Sequence, residues 1–212
     1  DKFRNRLMLP VIDTRGDVVA FGSRVLDKSE PKYMNSSETP VYSKRRVLYG
    51  LNLAKKSKRP NIILCEGNLD IVTLHQAGFD NAVASMGTAL TVEQTRLLSR
   101  FTKELVLCYD NDNAGKIATE RALQILNGSE FSVKVLQLPR RLVDGEYIKQ
   151  DADDFIKLQG PDAFERLLNG SENGVEFRMA QIAGKYDLKD DEARIAYCGE
   201  VSELLASLPG AV

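Results

Sequence analysis

Asn61-Ile62-Ile63-Leu64-Cys65-Glu66-Gly67-Asn68-Leu69-Asp70 sets four apolar side chains in a row, then an acid, a glycine and a second acid. The arrangement returns at Leu105-Val106-Leu107-Cys108-Tyr109-Asp110-Asn111-Asp112-Asn113-Ala114-Gly115. A short run that is apolar at every position suits a strand buried on both faces, as in a parallel sheet. Ala82-Val83-Ala84 and Val133-Lys134-Val135-Leu136 are weaker examples of the same run. Helices are read between them over 69–77, 92–100 and 114–126. The second opens on Thr91 with Gln94 three residues on, a capping box. The order βαβαβαβ predicts an α/β fold: a mostly parallel sheet flanked by helices, with right-handed crossovers.

Outward from this unit, residues 7–13 and 17–26 read as two strands joined through Thr14-Arg15-Gly16. The Ser-, Pro- and Asn-rich stretch 29–44 reads as loop and 46–57 as a short helix, closed by a basic linker at 55–60. After Asp151 the chain reads as helical to its end, at 153–159, 161–168, 175–185 and 191–207. Three parts are expected: a small mixed basic subdomain over 1–60, the α/β unit over 61–158 and a helical tail over 159–212.

With 43% hydrophobic and 28% charged residues in 212, the chain has the composition of a soluble globular protein with room for a real core. It contains no apolar run of membrane-spanning length and no signal-peptide pattern. Its three cysteines lie far apart and its single histidine is His75, so no zinc-ligand spacing exists and a reducing cytoplasm is expected. The net charge of −1 hides an asymmetry: residues 1–60 hold 14 Lys or Arg against 6 Asp or Glu, and residues 61–212 hold 15 against 24. A basic segment joined to an acidic one suits a site where nucleic-acid or nucleotide phosphate meets carboxylate-held metal. Solvated faces would give the same arithmetic.

The acids fall where an open α/β sheet places its ligand, beyond the carboxyl ends of the strands. Glu66 follows one strand, and Asp110 with Asp112 follows another. Asp151 and Asp153 come after a further strand and an intervening loop. In extended backbone, residues two apart share a side, so each Asp pair can present two carboxylates to one point. Converging carboxylates repel, and a hard divalent cation relieves that repulsion with oxygen ligands. Metal-assisted phosphoryl transfer is the chemistry such a set supports. Helix capping is the plainer alternative for Asp110, Asp112 or Asn113 and for Asp153, and a turn role is the plainer one for Glu66.

Glu66-Gly67-Asn68-Leu69-Asp70 followed by Asp110 to Gly115 resembles the Toprim signature, EGxxD and then DxDxAG, of a metal-binding fold shared by bacterial primases, topoisomerases and certain nucleases. Ala84-Ser85-Met86-Gly87-Thr88, the upstream block Pro31-Lys32-Tyr33-Met34-Asn35-Ser36 and Asp151-Ala152-Asp153-Asp154-Phe155-Ile156 narrow the resemblance to DnaG-type primases. It runs collinearly over about residues 3–170. It implies template-directed RNA primer synthesis from ribonucleoside triphosphates on single-stranded DNA, with Mg²⁺ or Mn²⁺. Glu66, Asp110 and Asp112 would be the principal metal ligands and catalytic residues, and Glu66 an acid or base near the 3′-hydroxyl. Asp70, Asp151 and Asp153 would complete the acidic cluster. Arg24, Lys32, Tyr33, Asn35, Lys44 and Arg46 would face nucleotide or DNA.

The family places an aromatic residue where this chain has Asn68, and Gly where it has Asn111; left-handed backbone is therefore expected at Asn111. A zinc module, the front of the polymerase core and the domain that meets the replicative helicase are expected to lie outside the chain. A topoisomerase or nuclease of the same fold and a non-catalytic regulatory α/β module are the rival readings. The first would lack the block around Lys32 and the second needs no basic segment.

Overall fold

The computed structural model describes residues 2–143 and 146–208. Strands β1 (Arg6–Ile12) and β2 (Val18–Val25) pair antiparallel. Their turn is held by the Asp13 carboxylate, which accepts the backbone N–H groups of Arg15, Gly16 and Asp17 at 2.8–3.0 Å. Within the stretch read as loop, β3 (Tyr33–Asn35) adds to the edge of β2, setting Arg24 opposite Tyr33 and Gly22 opposite Asn35. Three residues are too few to show a period.

The helix expected over 46–57 shrinks to α1 (Leu51–Ala54). Ahead of it the backbone is engaged elsewhere. Tyr49 exchanges hydrogen bonds with Ala84 at 2.9 and 3.0 Å, and Gln94 Nε2 donates to the carbonyls of Lys44 and Val47. Gly50 then turns the chain at φ 82°, a left-handed conformation that glycine adopts without strain. The basic linker is anchored rather than simply solvated: Arg59 stacks over Phe79 at 4.8 Å and pairs with Glu165 at 3.0 Å.

The α/β unit holds β4 (Asn61–Cys65), β5 (Ala82–Ala84), β6 (Glu104–Leu107) and β7 (Ser132–Val135), with α2 (Asn68–Gln76), α3 (Val92–Leu98) and α4 (Asn113–Leu126) between them. These four strands pair parallel to one another. Thr91 and Gln94 form the expected capping box at 3.1 Å in both directions. A two-stranded ribbon follows, β8 (Arg141–Val143) with β9 (Glu146–Ile148), and then α5 (Ala152–Gln159), α6 (Pro161–Asn169), α7 (Gly174–Ala183) and α8 (Asp191–Ala206). The tail is not helical throughout: β10 (Glu172–Asn173) pairs antiparallel with β7, and the sheet runs β10-β7-β6-β4-β5.

Alternate residues of the central strands serve two cores, which is why those strands are apolar at every position. Ile62, Leu64, Leu105 and Leu107 pack with Leu51, Leu98, Ala122 and Leu126 on one face. Ile63, Cys65, Val106 and Cys108 pack with Ile71, Leu74, Phe155 and Phe164 on the other. Phe164 of α6 is fully buried and meets Phe79 edge-on at 4.7 Å, a geometry that contributes about 0.5–1.5 kcal/mol beyond burial. Both cores lie behind the strand ends where the acids emerge. Among the described residues no helix is long and apolar enough to cross a membrane.

Candidate metal and nucleic-acid site

Three turns meet at the carboxyl edge of the sheet. The first leaves β4 at Glu66. Its Oε1 is buried with no hydrogen-bond partner, and burial followed by the nearby Asp110 charge raises its pKa above the usual carboxylate range. One turn into α2, Asp70 accepts the N–H of Gly67 at 3.1 Å and the N–H of Asp153 at 3.2 Å, tying the starts of α2 and α5 together. Burial, and then repulsion from Asp151, pushes Asp70 up to about 7.

The second turn leaves β6 through Asp110 and ends at Asp112, the N-cap of α4. Asp112 Oδ1 accepts the Gly115 N–H at 2.8 Å, which holds its pKa down. Its Oδ2 faces the Lys149 ammonium at 3.4 Å, and Asp110 Oδ2 faces the same ammonium at 3.0 Å. Asn111 does not take the expected left-handed backbone. Its side-chain amide donates to the Leu138 carbonyl, and that tie fixes it instead.

The third turn precedes α5. Here Asp151, not Asp153, is the N-cap, accepting the Asp154 N–H at 2.8 Å. Asp153 sits inside the first turn, where Thr73 donates to it and Lys157 pairs with it at 2.6 Å. Carboxylate oxygens of Asp151, Asp153 and Asp154 come within 4.8 Å of one another.

A cleft of about 380 Å³ joins these turns to the basic sheet: Glu66, Asp70, Asp110, Asp151 and Asp153 face Arg24, Lys32, Tyr33 and Asn35 across it. Arg24 and Lys32 both lie over the Tyr33 ring, at 5.7 and 5.6 Å. An adjoining groove shares Arg24 and Lys32 and adds Lys28. Lys44 and Arg46 do not line the cleft, and Lys44 is bound through its backbone to Glu38 and Gln94. Asn68 is buried beside Gly22 of β2. Lys149 and Lys157 were not singled out by the sequence, since a lone lysine near an acidic motif carries no spacing signal.

The residues fit a hard divalent cation. Every donor is a carboxylate oxygen, Glu66 Oε1 lacks a partner, and a lysine ammonium already stands between Asp110 and Asp112 as a cation would. Asp70 also predicts a pH effect. Folded without metal it holds a proton up to about 7, whereas the unfolded chain releases it near 3.8. Stability therefore falls as pH rises between those values, by about 3 kcal/mol from pH 5 to 8. Asp112, with its pKa lowered, is ionised in both states over that window and adds nothing. In chelator the chain is expected to melt higher at pH 5 than at pH 8, and saturating Mg²⁺ to narrow the gap. A higher melting temperature at pH 8 in chelator would count against this view of Asp70.

Three family models match the chain. One described as Toprim-like covers residues 63–156, and one described as the N-terminal domain of the DNA primase catalytic core covers residues 1–55. The third, described as the DnaB-helicase binding domain of primase, covers residues 175–212. That match corrects the expectation that the helicase-binding part lies elsewhere. The expectation failed because α7 and α8 carry no motif, only helical pattern. The DNA primase of Clostridium acetobutylicum is 42% identical over 209 residues, 98% of this chain and 34% of that protein. The chain spans about a third of the length of the curated relatives it matches. Among solved structures, a DnaG primase catalytic domain bound to single-stranded DNA is 34% identical with a TM-score of 0.82, covering 99% of this chain and 65% of that one. The RNA polymerase domain of Mycobacterium tuberculosis primase DnaG with double-stranded DNA is 32% identical with a TM-score of 0.81, covering 99% and 67%.

Proposed function

Because the chain belongs to the DnaG-type family of bacterial DNA primases, we propose that it is the part of such an enzyme where ribonucleotides are joined on a single-stranded DNA template into an RNA primer. The observation that carries this reading is the cleft itself, with carboxylates from three turns on one wall and Arg24, Lys32, Tyr33 and Asn35 on the other. Glu66, Asp110 and Asp112 would hold Mg²⁺ or Mn²⁺, with Asp70, Asp151 and Asp153 beside them. When bound, the ion supplies positive charge to the attacking oxygen and to the triphosphate. Glu66 Oε1, the oxygen without a partner, serves that ion or receives the proton of a primer 3′-hydroxyl. Arg24 and Lys32 neutralise phosphates, and the Tyr33 ring beneath them offers a face for a base. Helices α7 and α8 are the part we assign to the replicative helicase, and the cytoplasm is where these partners meet.

The test uses the full-length protein and has two arms. Glu66→Gln is expected to lower templated ribonucleotide incorporation at least about a hundredfold, the scale of losing one properly placed proton-transfer or charge-stabilising group, with single-stranded DNA affinity kept. Arg24→Ala with Lys32→Ala is expected to weaken that affinity and flatten its salt dependence by up to about two phosphate contacts. Undiminished synthesis by Glu66→Gln, or an unchanged salt slope in the second variant, would remove the corresponding wall from the site.

A further inference from the structure

Among the described residues, Lys149 is the one ammonium that touches two of the proposed ligands at once, Asp110 Oδ2 at 3.0 Å and Asp112 Oδ2 at 3.4 Å. It stands on the short segment between β9 and α5, so the ribbon β8–β9 carries it back to a turn nearly forty residues earlier in the chain. Its side chain is 57% exposed and also lines the cleft with Glu66, Asp70 and Asp151. An ammonium in that position and a divalent ion on the same two oxygens exclude one another, by charge and by volume. An exposed pair of this kind is weak, so the lysine can leave without unfolding anything.

We propose that Lys149 is the counter-cation of the metal-free site, which a divalent ion must displace from Asp110 and Asp112 in order to bind. The exchange explains how carboxylates this close can fold before metal arrives. It also sets the affinity: the ion competes with a tethered charge present at every concentration of protein.

The inference rests on the metal-ligand reading above, and the experiment separates the two. Free Mn²⁺ is measured by its electron paramagnetic resonance signal during titration of the whole chain, at fixed pH and salt and without nucleotide. Lys149→Met and Lys149→Gln are both expected to bind Mn²⁺ about fivefold more tightly, the factor gained when an exposed ion pair no longer has to be broken. Lys149→Arg keeps the charge and should stay near the parent. Asp110→Asn with Asp112→Asn should lose the binding. If that double variant binds Mn²⁺ like the parent, the metal-ligand reading falls and the exchange falls with it. If it loses binding while the Met and Gln variants bind no tighter than the parent, or the Arg variant tightens as much as they do, the metal site stands and the exchange is overturned.

Discussion

Asp110→Asn combined with Asp112→Asn is expected to abolish primer synthesis by the full-length protein, by about a thousandfold or more, while leaving the metal-free chain at least as stable as before. The two halves of that outcome have separate causes. Asparagine caps a helix about as well as aspartate, so the bond from Gly115 N–H to residue 112, now 2.8 Å, survives the change. The exposed pairs with Lys149 are lost, which costs no more than about 1 kcal/mol. Against that loss, the Asp110 charge raises the pKa of both Glu66 and Asp70, and removing it relieves them. Metal affinity has no such compensation, because a neutral amide oxygen is a poor substitute for a carboxylate toward a hard cation. The check is paired: templated synthesis with Mg²⁺, and thermal melting with Mg²⁺ and with chelator. Synthesis retained alongside a lowered melting temperature would show these aspartates to be structural and nothing more.

Capping at Asp112 leaves the carboxylate free for a second role. One of its oxygens caps α4 while the other faces the cation of Lys149. A sequence reading that weighs a structural role against a chemical one misses that a carboxylate has two oxygens. The central strands were legible because burial on both faces leaves no polar position to confuse them. The edge pieces were not. Strands β3 and β10 have three and two residues, and β8 and β9 are largely exposed, so neither length nor alternation marks them. The helix expected over 46–57 failed for a tertiary reason: the backbone of Tyr49 is bonded to Ala84 and cannot also close a helical turn. The three acidic turns were readable from strand ends and motif spacing. Lys149 was not, because its meaning comes only from the ribbon that brings it back to Asp110.

Gly115→Ala should destabilise the chain by about 2–4 kcal/mol, the range for forcing atoms into filled space, and should weaken Mn²⁺ binding with it. In an ordinary helix the same change stabilises by about 0.5–1 kcal/mol, because alanine loses less backbone freedom on folding. The sign therefore carries the test. A Cβ built on Gly115 would lie 1.9 Å from the Asp110 carbonyl oxygen, 2.7 Å from its carbon and 3.0 Å from its nitrogen. All three are backbone atoms, so no side-chain rotation relieves the clash, and the start of α4 must move away from the turn that carries Asp110 and Asp112. That movement strains the cap bond to Asp112 and shifts the Asp110 carboxylate relative to Glu66. The glycine of the motif is thus a packing requirement of the turn that carries Asp110 and Asp112, which has to fold tightly back on the first turn of α4. Gly199 supplies the matched control, for it lies within α8 and a Cβ there would meet nothing within 4 Å. Gly199→Ala should raise the melting temperature and leave Mn²⁺ binding alone. If both substitutions stabilise, or if Gly115→Ala holds Mn²⁺ as the parent does, the turn can open without cost and tight packing is not what positions the two aspartates.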